Sequence, residues 1–192
     1  MSAAEYNFPN PPSSEPQWLA LAQGVFNTQA ARWDTKDCGG GLRWQIHSLN
    51  NGYNYKNSPS NGGFINLAAR LYAYSANETF HEWVVKTWDW MLDVDLIGGQ
   101  TEYLIFDGAD ADQNCTGVVK MLWTYNAGMM LNAAAVMWNA TGDDLWKTRL
   151  QGIWNSSAVR VRNPVAPLFY SNRSLDILHG RQSPGGKSLR AS

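Results

Sequence analysis

The sequence predicts an all-α fold made of repeated helical hairpins, an α/α toroid or solenoid. Two observations carry this. First, the chain resembles itself at a fixed offset: Ala68-Ala69 opens the stretch to Ser75, and Ala134-Ala135, 66 residues on, opens the stretch to Thr141. In that register Leu71 meets Met137, Tyr72 meets Trp138, Phe80 meets Trp146, Val84 meets Leu150 and Trp88 meets Trp154. A fainter copy places Ala3-Ala4 and Trp18 65 residues ahead of Ala68-Ala69 and Trp83. Second, apolar residues recur at i, i+3 and i+4 within each copy, which puts them on one helical face. A unit of this size buries its apolar face only by stacking on its neighbours, so a repeat implies a ring or a solenoid.

The elements follow in order. Met1 to Tyr6 reads as the inside of a helix, so the first hairpin holds little of its leading helix. In the second copy a helix is expected from about Asn61 to Ser75, with Phe64, Leu67 and Leu71 on its core face and Ala68 and Ala69 allowing close helix approach. Asn77 or Thr79 can cap the next helix, which carries Phe80, Trp83, Val84, Trp88 and Met91. In the third copy Thr141-Gly142 is the stop and Asp143 the next cap. Two long segments, Asp34 to Ser60 and Asp95 to Leu122, link successive hairpins and are expected to emerge as loops at one end of the bundle. Loops gathered on one rim of a rigid scaffold are a usual place for binding chemistry. From Ser156 onward helical periodicity disappears and Pro, Gly, Ser and Arg dominate, with Arg160, Arg162, Arg173, Arg181, Lys187 and Arg190 turning the charge basic. The expected organisation is therefore a toroid domain over 1–158 and a divergent, disordered tail over 159–192.

Composition narrows the function. With net charge −1 and no basic stripe before that tail, nucleic acid is not an expected partner. No apolar run reaches the ~20 residues of a membrane span. Ten Trp and eight Tyr exceed what helix packing in a core of this size needs. Flat rings carrying a hydrogen-bond donor suit the apolar face of a pyranose, and they equally suit helix packing. Five Asn-X-Ser/Thr sequons occur, at Asn77, Asn114, Asn139, Asn155 and Asn172; the first three are the candidate glycosylation sites. With one pair of cysteines they favour a secretory, oxidising compartment. Cys38 and Cys115 can be a disulfide, two free thiols or half of a metal site, though their spacing fits no zinc motif. One lies in each loop, and a bridge between them, the expected state, would hold the loops side by side.

Several motifs fail on inspection. Gly39-Gly40-Gly41 lacks the Lys-Ser/Thr of a phosphate loop, and its glycines are expected to let backbone pass close to a ligand or to the Cys38 bridge. Asp110, Asp112 and Asn114 imitate the start of a calcium loop, but Cys115 occupies its glycine position and no Glu closes it. Asp143-Asp144 reads as a helix cap with a first-turn charge. His47, His81 and His179 show no ligand spacing, and His81 reads as a surface residue on its helix. No metal and no cofactor are expected.

One ordered succession of motifs is specific. Ala31-Arg32-Trp33-Asp34, Cys38 to Ile46, Tyr55-Lys56-Asn57, Ser60-Asn61-Gly62, Leu67 to Leu71, Trp88-Asp89-Trp90-Met91, Phe106-Asp107-Gly108-Ala109, Asn114-Cys115-Thr116 and Trp123 to Gly128 together resemble glycoside hydrolase family 76, and most closely its fungal cell-wall members, the mannan endo-1,6-α-mannosidases. The match runs from about Ser2 to Ala158. The resemblance implies an incomplete (α/α)6 barrel with about three hairpins. It also implies glycosidase or transglycosidase action on α-1,6-linked mannan, or on the glycan of GPI-anchored proteins, at the cell surface or wall. The membrane would be met only through an anchor outside this sequence. The family's Asp-Asp pair, followed by Gln and an aromatic, belongs upstream of the stretch matching Met1 to Tyr6 and is not among these residues, so no catalytic residue is carried over and this stretch by itself is expected to be inactive. The expected substrate contacts are Trp44, Asn61, Asp107, Trp123, Tyr125 and Asn126, with Asp107 as the carboxylate near the reacting sugar. The alternative is a mannan-binding module without catalysis.

Overall fold

A computed structural model describes residues 1–7, 12–15, 17–99 and 101–162. The expected tail beyond 162, with the sequon at Asn172 and His179, lies outside the described residues.

Five helices carry the fold: α1 (Trp18–Ala30), α2 (Ser58–Ser75), α3 (Glu78–Asp93), α4 (Thr124–Thr141) and α5 (Asp144–Arg162), preceded by one π-type helical turn at Ala3–Asn7. They form the expected hairpins of an α/α toroid. The turn and α1 make the first, α2 and α3 the second, α4 and α5 the third. α2 and α4 pack on each other most extensively, and α3 and α5 back them. Ala68, Ala69, Ala133 and Ala134 are all fully buried. The repeat is visible in a cross-helix bond: the Asn66 amide donates to Met129 O at 3.0 Å and to Asn132 Oδ1 at 2.9 Å, and Asn132 is its own counterpart 66 residues on. Phe26, Phe64, Phe80 and Trp83 stack edge and face where α1, α2 and α3 meet. Burying each such ring contributes about 1.5–3 kcal/mol.

The hairpin turns are built as their residues dictate. Asn77 caps α3 by accepting from Thr79 N. Gly142 ends α4 at φ 69°, the left-handed position that glycine tolerates. Asp143 then caps α5 by accepting from Leu145 N. Three features differ from expectation. α2 starts at Ser58, three residues before the expected start at Asn61, because Asn57 is its cap, accepting from Ser60 N, and Pro59 fits the first turn. α5 runs to Arg162, four residues past the expected end at Ala158. His81 is only half-buried, with its ring 5.2 Å from that of Tyr72.

The largest departure is in the two long segments, where the sequence predicts irregular loops. They contain a small antiparallel sheet of β1 (Tyr55–Asn57), β2 (Ile97–Gly98), β3 (Leu104–Asp110) and β4 (Val118–Leu122). β3 is its centre. It pairs with β1 from the first long segment (Lys56 opposite Ala109), and with β2 and β4 from its own. The sheet sits beside the start of α2 and of α4.

Candidate functional site: an aromatic rim around Asp107

β3 presents Asp107 on the sheet next to β1. The Tyr55 hydroxyl donates to Asp107 Oδ2 at 2.8 Å. The residue after the aspartate makes this contact possible: a Cβ on Gly108 would stand 2.5 Å from the Tyr55 ring. The Asp-Gly pair therefore lies inside a strand and clears space for an aromatic ring; it is not a tight turn. Trp44 meets Tyr55 edge-on with centroids 6.4 Å apart, and Trp123 stacks on Tyr125 at 5.9 Å and 22°. Trp44 and Tyr125 are half exposed, at 52% and 51%. Burial first, then the hydrogen bond to Asp107 and its charge, push the Tyr55 phenol far above its ordinary range; burial and the same carboxylate raise Tyr125. Both phenols stay neutral donors at any physiological pH. The array runs Trp44, Tyr55, Asp107, Tyr125, Trp123, with a carboxylate in its middle.

Beneath the rim lies a scaffold of buried polar groups. Lys56 has no exposed surface, and its Nζ donates to Asp34 O, Asp37 O and Gly40 O at 2.8, 2.7 and 2.6 Å. Burial lowers its pKa, and the nearby Asp34 carboxylate opposes that. Arg43 pairs with Asp34 at 2.8 Å and with Asp37, and lies over the Tyr53 ring. Burial alone would raise Asp34, but the Lys36 N–H, Lys56 and Arg43 outweigh it and hold the carboxyl below its usual value. Gly40 and Gly41 let backbone pass close to the buried Trp90 ring: a Cβ there would lie 2.8 or 2.3 Å from it. That ring's N–H donates to Cys38 O.

The two long segments are fastened to each other at several points. Cys38 and Cys115 form the expected disulfide, with Cα atoms 5.5 Å apart. Asn54 donates to Asp112 Oδ2, Ser58 to Phe106 O, and Cys38 N to Asn114 Oδ1. Asp110 Oδ1 accepts from Asp112 N. The acidic run that imitates a calcium loop is thus tied into loop contacts.

Of the sequence-expected contact residues, the structure brings Trp44, Asp107, Trp123 and Tyr125 together. It places Asn61 and Asn126 under the rim, both with no exposed surface. Asn61 spends its amide on the scaffold, accepting from Leu42 N and donating to Leu42 O and Asn57 O. The Asn126 amide, 65 residues on, has no hydrogen-bond partner among the described residues. Tyr55 is the site residue that sequence reasoning misses; the only signal is its place in the Tyr55-Lys56-Asn57 motif.

Residues 1–169 match the model of glycosyl hydrolase family 76. The chain belongs to that family. It is 52% identical over 159 residues to mannan endo-1,6-α-mannosidase DCW1 of Saccharomyces cerevisiae, a match covering 83% of this chain and 35% of that protein. The DCW1 protein of Candida glabrata is 50% identical over 165 residues, covering 86% and 37%. Among solved structures, Dfg5 from Chaetomium thermophilum in complex with glucosamine superposes with a TM-score of 0.76 at 47% identity, over 80% of this chain and 38% of that one. The chain therefore spans about a third of the length of the curated relatives it matches. The family match also extends past Ala158, consistent with α5 continuing to Arg162.

Proposed function

We propose that this chain forms part of the substrate rim of an enzyme acting on α-1,6-linked mannan, as hydrolase or transglycosidase, in glycan processing at the cell surface or wall. The observation that carries this is the set of two aromatic pairs, Trp44–Tyr55 and Trp123–Tyr125, around Asp107, which Tyr55 holds by a hydrogen bond and whose charge reaches Tyr125. Half-exposed indole and phenol rings offer flat faces to successive pyranoses. Asp107 has one oxygen engaged by Tyr55, which leaves the other to accept from a sugar hydroxyl. The names of the curated relatives support α-1,6-mannan as the polymer, and the glycan of a GPI-anchored protein is the finer candidate.

Glycoside hydrolysis needs two carboxyl groups across the scissile bond. Among the described residues, Asp107 is the carboxylate whose charge raises both Tyr55 and Tyr125. It therefore orients sugar here, and the acid and nucleophile come from the Asp-Asp pair that the family resemblance places upstream. The same lone carboxylate favours a second reading, a mannan-binding module without catalysis. Hydrolysis of linear α-1,6-mannan separates the two. The chain is assayed as given and within its full-length product, each with and without Asp107→Asn. Activity in the full-length product that falls with Asp107→Asn supports the enzyme reading. Mannan binding with no turnover in either form supports the module. Neither binding nor turnover refutes both.

A further inference from the structure

The sequon Asn114-Cys115-Thr116 has one half of the disulfide as its middle residue. We propose that Asn114 carries an N-linked glycan that can be attached only before the Cys38–Cys115 bridge closes, so that glycosylation and bridge formation compete at this site. The folded turn is compatible with the product. Asn114 is exposed, its Oδ1 accepts from Cys38 N at 2.8 Å, and no hydrogen bond among the described residues engages its Nδ2, the atom a glycan takes. A modified Asn114 keeps its contact with Cys38.

The folded turn is not compatible with the reaction. A transferase must reach the Asn amide and the Thr hydroxyl two residues on together, on a pliable stretch of chain. Here Asn114 and Cys115 lie consecutively in the left-handed region, at φ 48° and 57°. Asn114 N donates to Ala111 O, Cys115 N to Asp110 O and Thr116 N to Gln113 O, while the Thr116 hydroxyl donates to Gln113 O at 2.8 Å. The disulfide clamps the centre of this turn to the other long segment. Straightening it would break these bonds together with the Cys38–Asn114 contact.

Both reactions balance with co-reactants of an oxidising secretory compartment. In glycosylation the sugar C1 leaves a lipid-linked diphosphate oligosaccharide and bonds to Nδ2. The diphosphate departs with the C–O bonding pair, and Nδ2 gives up one proton. In bridge formation the two thiols pass two electrons and two protons to the disulfide of an oxidoreductase. Cys38 precedes Cys115 by 77 residues and enters first, so closure becomes available as soon as Cys115 arrives. The sequon at Asn77, with Glu78 in its middle and Asn77 exposed, has no such competitor.

The full chain is directed into a eukaryotic secretory pathway, and glycan occupancy at Asn114 and Asn77 is read by mass spectrometry after enzymatic release. Three conditions are compared: wild type, Cys38→Ser, and wild type from cells given a mild thiol reductant during synthesis. The expected result is a several-fold rise in occupancy at Asn114 in the second and third conditions, with Asn77 unchanged. An Asn114 that stays bare throughout overturns the proposal. So does equal occupancy with and without the bridge, or a rise shared in equal proportion by Asn77, which reports slower export and no competition. The reductant arm leaves the sequence intact, so a folding defect of Cys38→Ser does not decide the outcome.

Discussion

Tyr55 joins the two long segments through one phenol. Tyr55→Phe keeps the ring over Gly108 and removes only the bond to Asp107 Oδ2. A hydrogen bond to a charged group contributes about 1.5–3 kcal/mol to stability, so the urea midpoint is expected to fall, and affinity for α-1,6-linked mannotriose by calorimetry is expected to fall with it because Asp107 is no longer held in place. Unchanged affinity would detach Asp107 from sugar binding. Lys56 bears on stability alone. Lys56→Met leaves three backbone carbonyls without their donor and Asp34 with Arg43 as its remaining cation. Each buried polar group left unsatisfied costs about 1–3 kcal/mol, so urea unfolding should show a loss of about 3 kcal/mol or more. Asp34 gives this cluster a pH dependence. Its folded-state carboxyl is lowered, so its stabilising contribution is complete above about pH 4, the ordinary aspartate value. That contribution is lost as pH falls through the folded value. The stability gap between wild type and Asp34→Asn should therefore narrow on acidification below pH 4, and a constant gap would contradict the pairing. These roles are hard to read in sequence. Asn61 and Asn126 invite a rim assignment because they stand at helix starts, yet only the packing of both long segments over them reveals that they are buried.

The elements divide by how local their signals are. Each helix carries its own evidence: periodic apolar residues, a capping Asn77 or Asp143, a terminal Gly142. The hairpins and their order are therefore legible from the amino acids alone. The strands carry no such evidence. β1 has three residues and β2 two, too few to show alternation, and β1 finds its partner some 50 residues away at Asp110. β3 is the longest, but Asp107-Gly108 in its middle has the composition of a turn. Gly108 is where sheet and site meet, which makes it the informative position to change. In Gly108→Ala the added Cβ collides with the Tyr55 ring, and a strand position beside a rigid aromatic has little room to give. The ring should be displaced from Asp107. Mannotriose affinity should then fall at least as far as in Tyr55→Phe, while far-UV circular dichroism keeps its helical signal. Wild-type affinity would show that the Tyr55 contact is dispensable.

For the molecule as a whole, the central question is what holds the two long segments together once the helices have stacked. Among the described residues the β1–β3 pairing, the Tyr55–Asp107, Asn54–Asp112 and Ser58–Phe106 hydrogen bonds, the Cys38–Asn114 bond and the disulfide all do so. They differ in where they act. The strand pairing and hydrogen bonds position Tyr55 against Asp107 in the folded state. The disulfide joins residues 77 apart in sequence and acts chiefly on the unfolded chain, by removing loop entropy worth about 4.5 kcal/mol for a loop of that size. Reduction, or the Cys38→Ala/Cys115→Ala pair, should therefore lower the urea midpoint substantially and leave mannotriose affinity near the wild-type value in the absence of denaturant. Calorimetry on the reduced protein and urea unfolding followed by tryptophan fluorescence read the two quantities separately. If affinity disappears while the fluorescence and helical signals stay native, the strand pairing is too weak to hold the rim without the covalent link. The disulfide would then be a component of the binding site as well as a brace for the fold.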